Sequence, residues 1–284
     1  MPGPVPFEAP SALDYFATLV VDDASLPVLE AAAAVAQDDL PGVDVQDVLA
    51  QVDLLAERLC RRMPADAAPL QRLRLLNRYF FQELGFAGNV NDYYDPGNSL
   101  LPVVLQTRRG IPLTLALIYI EIATQAGLRA QGIAFPGHFL VKLHLPRGEV
   151  VIDPFSGRSL AREELEERLL PFRRRAEGSD LDEVPLGLYL QPAPPRDIIA
   201  RLLRNLKEIH RSARDLPRLA AVQRRLLTLL PQAWHEHRDL ALVLAQMGRP
   251  QEAAVAMAAY LQHEPDADDA PLMRAQLAHW RRAH

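Results

Sequence analysis

The chain has 284 residues, 49% of them hydrophobic and 24% charged, with a formal net charge of −5. That length allows one large domain or two modest ones, and the apolar content excludes a mostly disordered chain. The single cysteine, Cys60, excludes a disulfide framework, a cysteine-rich zinc site and an iron–sulfur cluster, and it fits a reducing cytoplasm.

The charge is spread unevenly. Residues 1–70 carry 12 acids and 3 bases (−9), residues 71–197 carry 15 of each, and residues 198–284 carry 9 acids and 13 bases (+4). A head-to-tail contact would exploit this, although two solvated surfaces explain it more simply because exposed ion pairs contribute little. The basic tail lacks an aromatic-plus-basic stacking motif, so nucleic acid is not an expected partner. Only two of the 31 bases are lysine, Lys142 and Lys207. The longest apolar run, Leu113 to Ile120, falls short of the ~20 residues a membrane-spanning helix needs. Met1-Pro2-Gly3-Pro4 is not followed by the apolar core of a secretory signal, so the expected location is cytoplasmic.

Ser11–Val21, Ser25–Gln37 and Val45–Met63 show helical spacing of apolar residues, with Asp44 placed to cap the third. Pro69–Leu84 opens on a proline suited to a first helical turn and stops before Gly85. Residues 85–110 are rich in Gly, Asn, Asp and Pro and read as a long loop of the kind that often carries function. Gly110-Ile111-Pro112 then starts an almost wholly apolar helix that ends at Gly127, which predicts a central buried element.

There the period changes from 3.6 to 2. Arg129–Phe135 reads as a strand, and His138–Leu145 alternates Phe139, Val141, Leu143 and Leu145 against His138, Leu140, Lys142 and His144. A turn at Leu145–Gly148 and a returning strand Glu149–Asp153 would pair His144 with Glu149. They would also set Asp153 one diagonal step from His138 on the same face. Leu160–Leu170 reads as a charged surface helix, and Pro185–Pro195, with four prolines, as a linker. Beyond it all is helical. Trp234–Ala267 places Ala241, Gly248, Ala253 and Pro265 where a tetratricopeptide repeat has its small, turn and terminal residues, whereas Ala200–Ala233 puts Lys207 and Leu219 at the small positions.

A loop, a buried helix, a strand led by His138 and a strand ending at Asp153 form the order of parts of a cysteine–histidine–aspartate site. The segments Tyr94–Pro102, Arg109–Leu115, Pro136–Val141 and Asp153-Pro154-Phe155 resemble the bacterial SirB-type family of the transglutaminase-like superfamily, in which such a domain precedes tetratricopeptide-like helices. The resemblance spans roughly residues 10–284. It implies an α+β fold with a papain/transglutaminase-like core of N-terminal helices, a central buried helix and a small antiparallel sheet, followed by an all-α tail. The implied divisions are 1–190, a proline-rich linker at 185–197, and 198–284.

The resemblance also implies catalytic positions at His138 and Asp153, and marks Tyr94, Asp95, Asn98, Ser99 and Arg109 as cleft-binding candidates. Active members carry Gly-x-Cys at the helix start, so the nucleophile position here is Pro112, which has neither a nucleophile nor a backbone N–H. Cys60 lies on another helix and reads as a half-buried structural residue. Thr114 points away from the expected site, Ser99 would have to fold back, and Asn98, which could donate into the cleft, reads more readily as a turn former.

His138 and His144 stand about 20 Å apart along one strand and cannot share an ion. A set of His138, Asp153 and an acid from Asp92–Asp95 lacks close ligand spacing, so no metal and no cofactor are expected. The sequence thus favours a non-catalytic transglutaminase-like protein that binds a protein or peptide. The alternative is a hydrolase or acyl transferase using His138 and Asp153 with another nucleophile or an activated water.

Overall fold

The structure, a computed structural model, describes residues 10–175 and 184–282. Contacts divide it into two units. One joins Val28–Ala33 to Val43–Ile198; the other joins the residues up to Pro27, Ala34–Gly42, and the residues from Ile199 onward. The N-terminal stretch, expected to belong with the 1–190 domain, therefore groups with the C-terminal helices.

The chain opens with α1 (Ala12–Leu19) and α2 (Val28–Val35), the latter running on into a 3-10 turn at Ala36–Asp38. Ser11 and Asp14 form a reciprocal capping box on α1. Helix α3 (Val45–Cys60) is capped by Asp44, whose carboxylate accepts from the Gln46 N–H at 2.8 Å. The segment expected as one helix over Pro69–Leu84 divides into α4 (Pro69–Asn77) and a π-helical turn at Arg78–Glu83. The wider turn accommodates consecutive aromatics. Phe80 stacks on Phe86 at 4.4 Å and meets Tyr119 edge-on at 5.2 Å, while Phe81 stacks on Tyr119 at 5.7 Å.

Residues 85–110 are more ordered than a loop. Strand β1 (Ala87–Gly88) pairs in parallel with β2 (Arg109–Gly110), and between them lie a 3-10 turn at Pro96–Ser99 and α5 (Leu101–Thr107). The helix was concealed by the turn-forming residues around it, although Pro102 sits in its first turn and Leu101, Val104 and Leu105 are its buried face. Helix α6 (Pro112–Gln125) is buried on nearly every side, as its apolar sequence requires. It packs against α3, α4 and α5 and against the main sheet.

That sheet is antiparallel in the order β3 (Arg129–Ile133), β4 (Leu140–Leu145), β5 (Gly148–Asp153), β6 (Arg158–Leu160). His144 pairs with Glu149, the expected register. The strand expected from His138 begins at Leu140, because Gly137 (φ +68°) turns the chain and the His138 N–H donates to Phe135 O at 2.9 Å. Away from α6, Ile133, Leu140, Val151 and Leu160 are covered by Leu165 and Leu169 of α7 (Arg162–Arg175) and by Leu186 of α8 (Leu186–Tyr189). Both faces are thus covered, and Lys142, on the face shared with Leu140, is buried with Nζ 3.5 Å from Glu149. The expected linker is packed as well. Leu186 is buried, and the Ala193 N–H donates to Gly132 O at 2.8 Å.

In the other unit, α9 (Pro195–Ala213), α10 (Leu216–Leu229), α11 (Trp234–Gln246), α12 (Pro250–His263) and α13 (Ala270–Arg282) stack successively from α10 on. Gly248 turns α11 into α12 at φ +73°, and Ala241 and Ala253 are wholly buried where the helices approach. Lys207, at a position that repeats fill with a small residue, instead extends to α11 and donates to Glu236 at 2.6 Å and Asp239 at 2.8 Å. The N-terminal segment docks through charge and apolar contact. Helix α1 packs on α10, Arg225 donates to Asp38 at 2.9 Å while its guanidinium lies 4.9 Å from the Phe16 ring centre, and Asp39 faces His210 at 3.3 Å and Arg218 at 3.2 Å. Among the described residues no helix is long and apolar enough to cross a membrane.

Candidate functional site

Two turns of the core unit bring its polar residues together. The turn ending at Gly137 delivers His138 to the head of β4, and Asp153 closes β5 before a turn through Gly157 (φ +72°). His138 Nε2 lies 2.8 Å from Asp153 Oδ1, which also accepts the Phe155 N–H at 2.9 Å. Asp153 Oδ2 receives the two Arg168 amino groups at 3.3 and 3.4 Å. Burial would raise the Asp153 carboxyl, but the His138 hydrogen bond and charge, the Phe155 N–H and Arg168 together hold it near 2. Asp153 is therefore a fixed anion that orients the imidazole. With Nε2 engaged, Nδ1 is the ring nitrogen left for a second partner.

Arg168 was not singled out from the sequence. Its signal lay in the buried pair Leu165 and Leu169, whose i,i+4 spacing fixes the inner stripe of α7 and places Arg168 at its edge.

Phe155 joins this corner to the start of α6. Its carbonyl accepts the Gly88 N–H at 2.9 Å, and a β-carbon on Gly88 would stand 2.2 Å from its ring. Gly88 in turn pairs with Gly110, two residues before Pro112. Gly110 is equally confined, since a β-carbon there would meet Thr114 Oγ1 at 2.7 Å. Pro112 is buried at the first position of α6. Thr114 is fully buried and donates to Asn98 O at 2.7 Å, so its hydroxyl serves the fold.

Cys60 ends α3 with Sγ 3.5 Å from Gln125 O, at the last residue of α6. Pro112 begins that helix, and its 14 residues span about 20 Å, so the thiol lies at the opposite end from Pro112.

The proposed binding residues divide. Tyr94 is exposed and meets Tyr93 edge-on at 5.4 Å, Tyr93 lies 6.1 Å from Phe155, and Phe155 lies 6.4 Å from His138. These rings form an open aromatic surface beside the His138–Asp153 pair. Asp95 accepts the Gly97 N–H at 2.8 Å, and Asn98 donates to Asp92 O and Tyr93 O and accepts from Asn89. Asn98 and Ser99 are buried, so both belong to the loop's internal framework. Arg109 donates to Gly85 O at 2.6 Å and clamps the loop base. His144 lies along the sheet with Gln131 at 2.7 Å and Glu149 at 3.1 Å, apart from His138. Among the described residues no three His, Cys, Asp or Glu side chains gather as a metal group.

Residues 46–204 match the family model of the transglutaminase-like superfamily, and residues 206–278 match a tetratricopeptide repeat model. A UPF0162 protein of Xylella fastidiosa (strain 9a5c) is 37% identical over 258 residues, covering 90% of this chain and 91% of that protein. A UPF0162 protein of Pseudomonas aeruginosa is 33% identical over 226 residues, covering 79% and 80%. The human F-box only protein 21 is 29% identical over 123 residues, 36% of this chain and 20% of that protein. No solved structure matches at comparable stringency.

Proposed function

Because the chain belongs to the SirB-type (UPF0162) family of the transglutaminase-like superfamily yet opens α6 on a buried proline, we propose that its core unit binds peptides without thiol chemistry. Pro112 carries this reading. It occupies the nucleophile position, and the only cysteine, on α3, meets the far end of that helix. The rings of Tyr93, Tyr94 and Phe155 supply the surface, since aromatic groups contribute contact area at small conformational cost. Asp153 holds His138 to donate to or accept from a peptide backbone group. Tetratricopeptide repeats generally mediate protein–protein interaction, which accords with a protein ligand for the whole chain.

The test has two arms. In the first, immobilised peptide arrays are probed with the full chain and with a Tyr93→Ala, Tyr94→Ala variant; sequence-selective capture lost in the variant is expected. In the second, esters, amides and glutamine-donor peptides are screened for turnover, with His138→Ala as control. Turnover abolished by His138→Ala overturns the non-catalytic reading. It would install a second one, favoured by the 2.8 Å His138–Asp153 contact, in which the imidazole activates a water for hydrolysis.

A further inference from the structure

In the core unit, Arg108 closes α5 with a left-handed backbone (φ +61°), a place that glycine fills more cheaply. An arginine held in that conformation points to a use for its side chain. The guanidinium lies 4.6 Å from the Phe86 ring centre, a contact that helps to fix its position. Arg108 is half-buried, yet among the described residues its side chain has no hydrogen bond and no ion pair. Nη1 is sealed without a partner, so contact from solvent falls to the other two nitrogens.

A second guanidinium nearby is also without an acid. Helix α3 packs on α5, and Arg58, near the C-terminal end of α3, is exposed. The residues three and four positions from it along the chain are Leu54, Leu55, Arg61 and Arg62, so no acid stands one turn away. It makes no ion pair among the described residues. The charges of Arg62, Arg58 and Arg108 all act on the Tyr79 hydroxyl, which places the three cations around one corner. That hydroxyl is itself sealed and unpartnered, and the Arg62 guanidinium stands 5.4 Å from the Tyr79 ring centre. Burial, and then Arg58 against the opposing effect of Tyr79, push the Arg108 guanidinium below its ordinary range. Glu83, the acid that also acts on Tyr79, is taken by Arg62 at 2.6 Å and Arg78 at 3.3 Å.

We propose that Arg58 and Arg108 form a site for a tetrahedral dianion, a phosphate or phosphate monoester. Two uncompensated guanidinium charges call for two negative ones. A carboxylate supplies one charge and is filled by a single planar fork, whereas a phosphoryl group offers three strong acceptor oxygens. The two guanidiniums come from separate helices, α3 and α5, and suit an anion whose oxygens point in different directions. The sealed Nη1 and hydroxyl need not touch the ligand; they show that this corner holds more donors than acceptors. The inference stands independently of the peptide-binding reading.

Isothermal titration of the full chain tests it, at low ionic strength and near neutral pH, with inorganic phosphate, methyl phosphate and acetate as probes. Saturable one-to-one binding of phosphate is expected, with acetate at least about ten-fold weaker. Methyl phosphate binding as well as inorganic phosphate identifies a phosphorylated ligand as the source, and its exclusion identifies free phosphate; either upholds the site. Arg108→Asn, a substitution that retains the left-handed backbone, should weaken phosphate about ten-fold, and Arg58→Gln roughly three- to ten-fold. Arg129, exposed on β3 of the same unit, serves as the control, and Arg129→Gln should leave the affinity unchanged. Absence of saturable phosphate binding, equal binding of acetate, or an equal loss in Arg129→Gln overturns the proposal. If Arg108→Asn fails to fold, Arg58→Gln decides alone, and an unchanged affinity there overturns the proposal.

Discussion

Asp153 in the core unit and Glu236 in the helical unit are both 3% exposed, and each is bonded to a basic side chain. Their partners differ. Lys207, which holds Glu236, is 9% exposed at its side chain, whereas His138 and Arg168, which hold Asp153, are 22% and 38% exposed. The first pair is buried on both sides and holds α9 to α11. The second keeps its acid inside and turns its base outward, beside open aromatic rings. Burial of an acid therefore does not by itself separate a scaffold contact from a site.

The comparison breaks first at the sealed pair. Lys207→Met removes the buried cation that holds Glu236 and should cost about 3–5 kcal/mol, read as a lowered urea midpoint. Adding Glu236→Gln and Asp239→Asn to that variant should restore most of the loss, because no uncompensated charge remains.

At the open pair, Asp153→Asn should cost about 1.5–3 kcal/mol. That loss has a pH signature. The carboxyl titrates near 2 in the folded chain against an ordinary 3.8, so its stabilisation is complete above 3.8 and disappears as pH falls toward 2. Urea midpoints of the wild type and Asp153→Asn should therefore converge across that interval, and a constant gap would contradict an ionised Asp153. Gly88→Ala forces the Phe155 ring aside and should cost about 1–3 kcal/mol, with a matching change in near-ultraviolet circular dichroism from the displaced ring. Tyr94→Ala, at an exposed ring, should shift stability by no more than about 0.5 kcal/mol while weakening peptide capture. A larger loss of stability would make that aromatic surface part of the fold.

The hairpin was legible because a four-residue turn and a period of 2 leave one register that keeps the apolar residues inside. The His138–Asp153 contact followed from that register. The repeat was legible at Gly248, Ala241 and Ala253, where helices need a left-handed turn or close approach. Burial of Lys142 was not, since a lysine on one face of a strand signals water until α7 and α8 are seen to cover it. Both lysines of the chain prove to be buried. The attachment of the N-terminal segment was also hidden. It depends on Asp38 meeting Arg225 and Asp39 meeting His210, and no local pattern announces pairs so distant in sequence.

The Asp38–Arg225 contact joins residues 187 positions apart, with the core unit's main segment encoded between them. Synthesis at about 5–20 residues per second leaves roughly 10–40 s between the appearance of Asp38 and of Arg225. Throughout that interval α1 has no α10 to pack on, while the main segment of the core unit is finished. The order of birth thus keeps the helical unit from closing until α10 has been made, and the nascent acidic segment lacks its Arg225 partner until then.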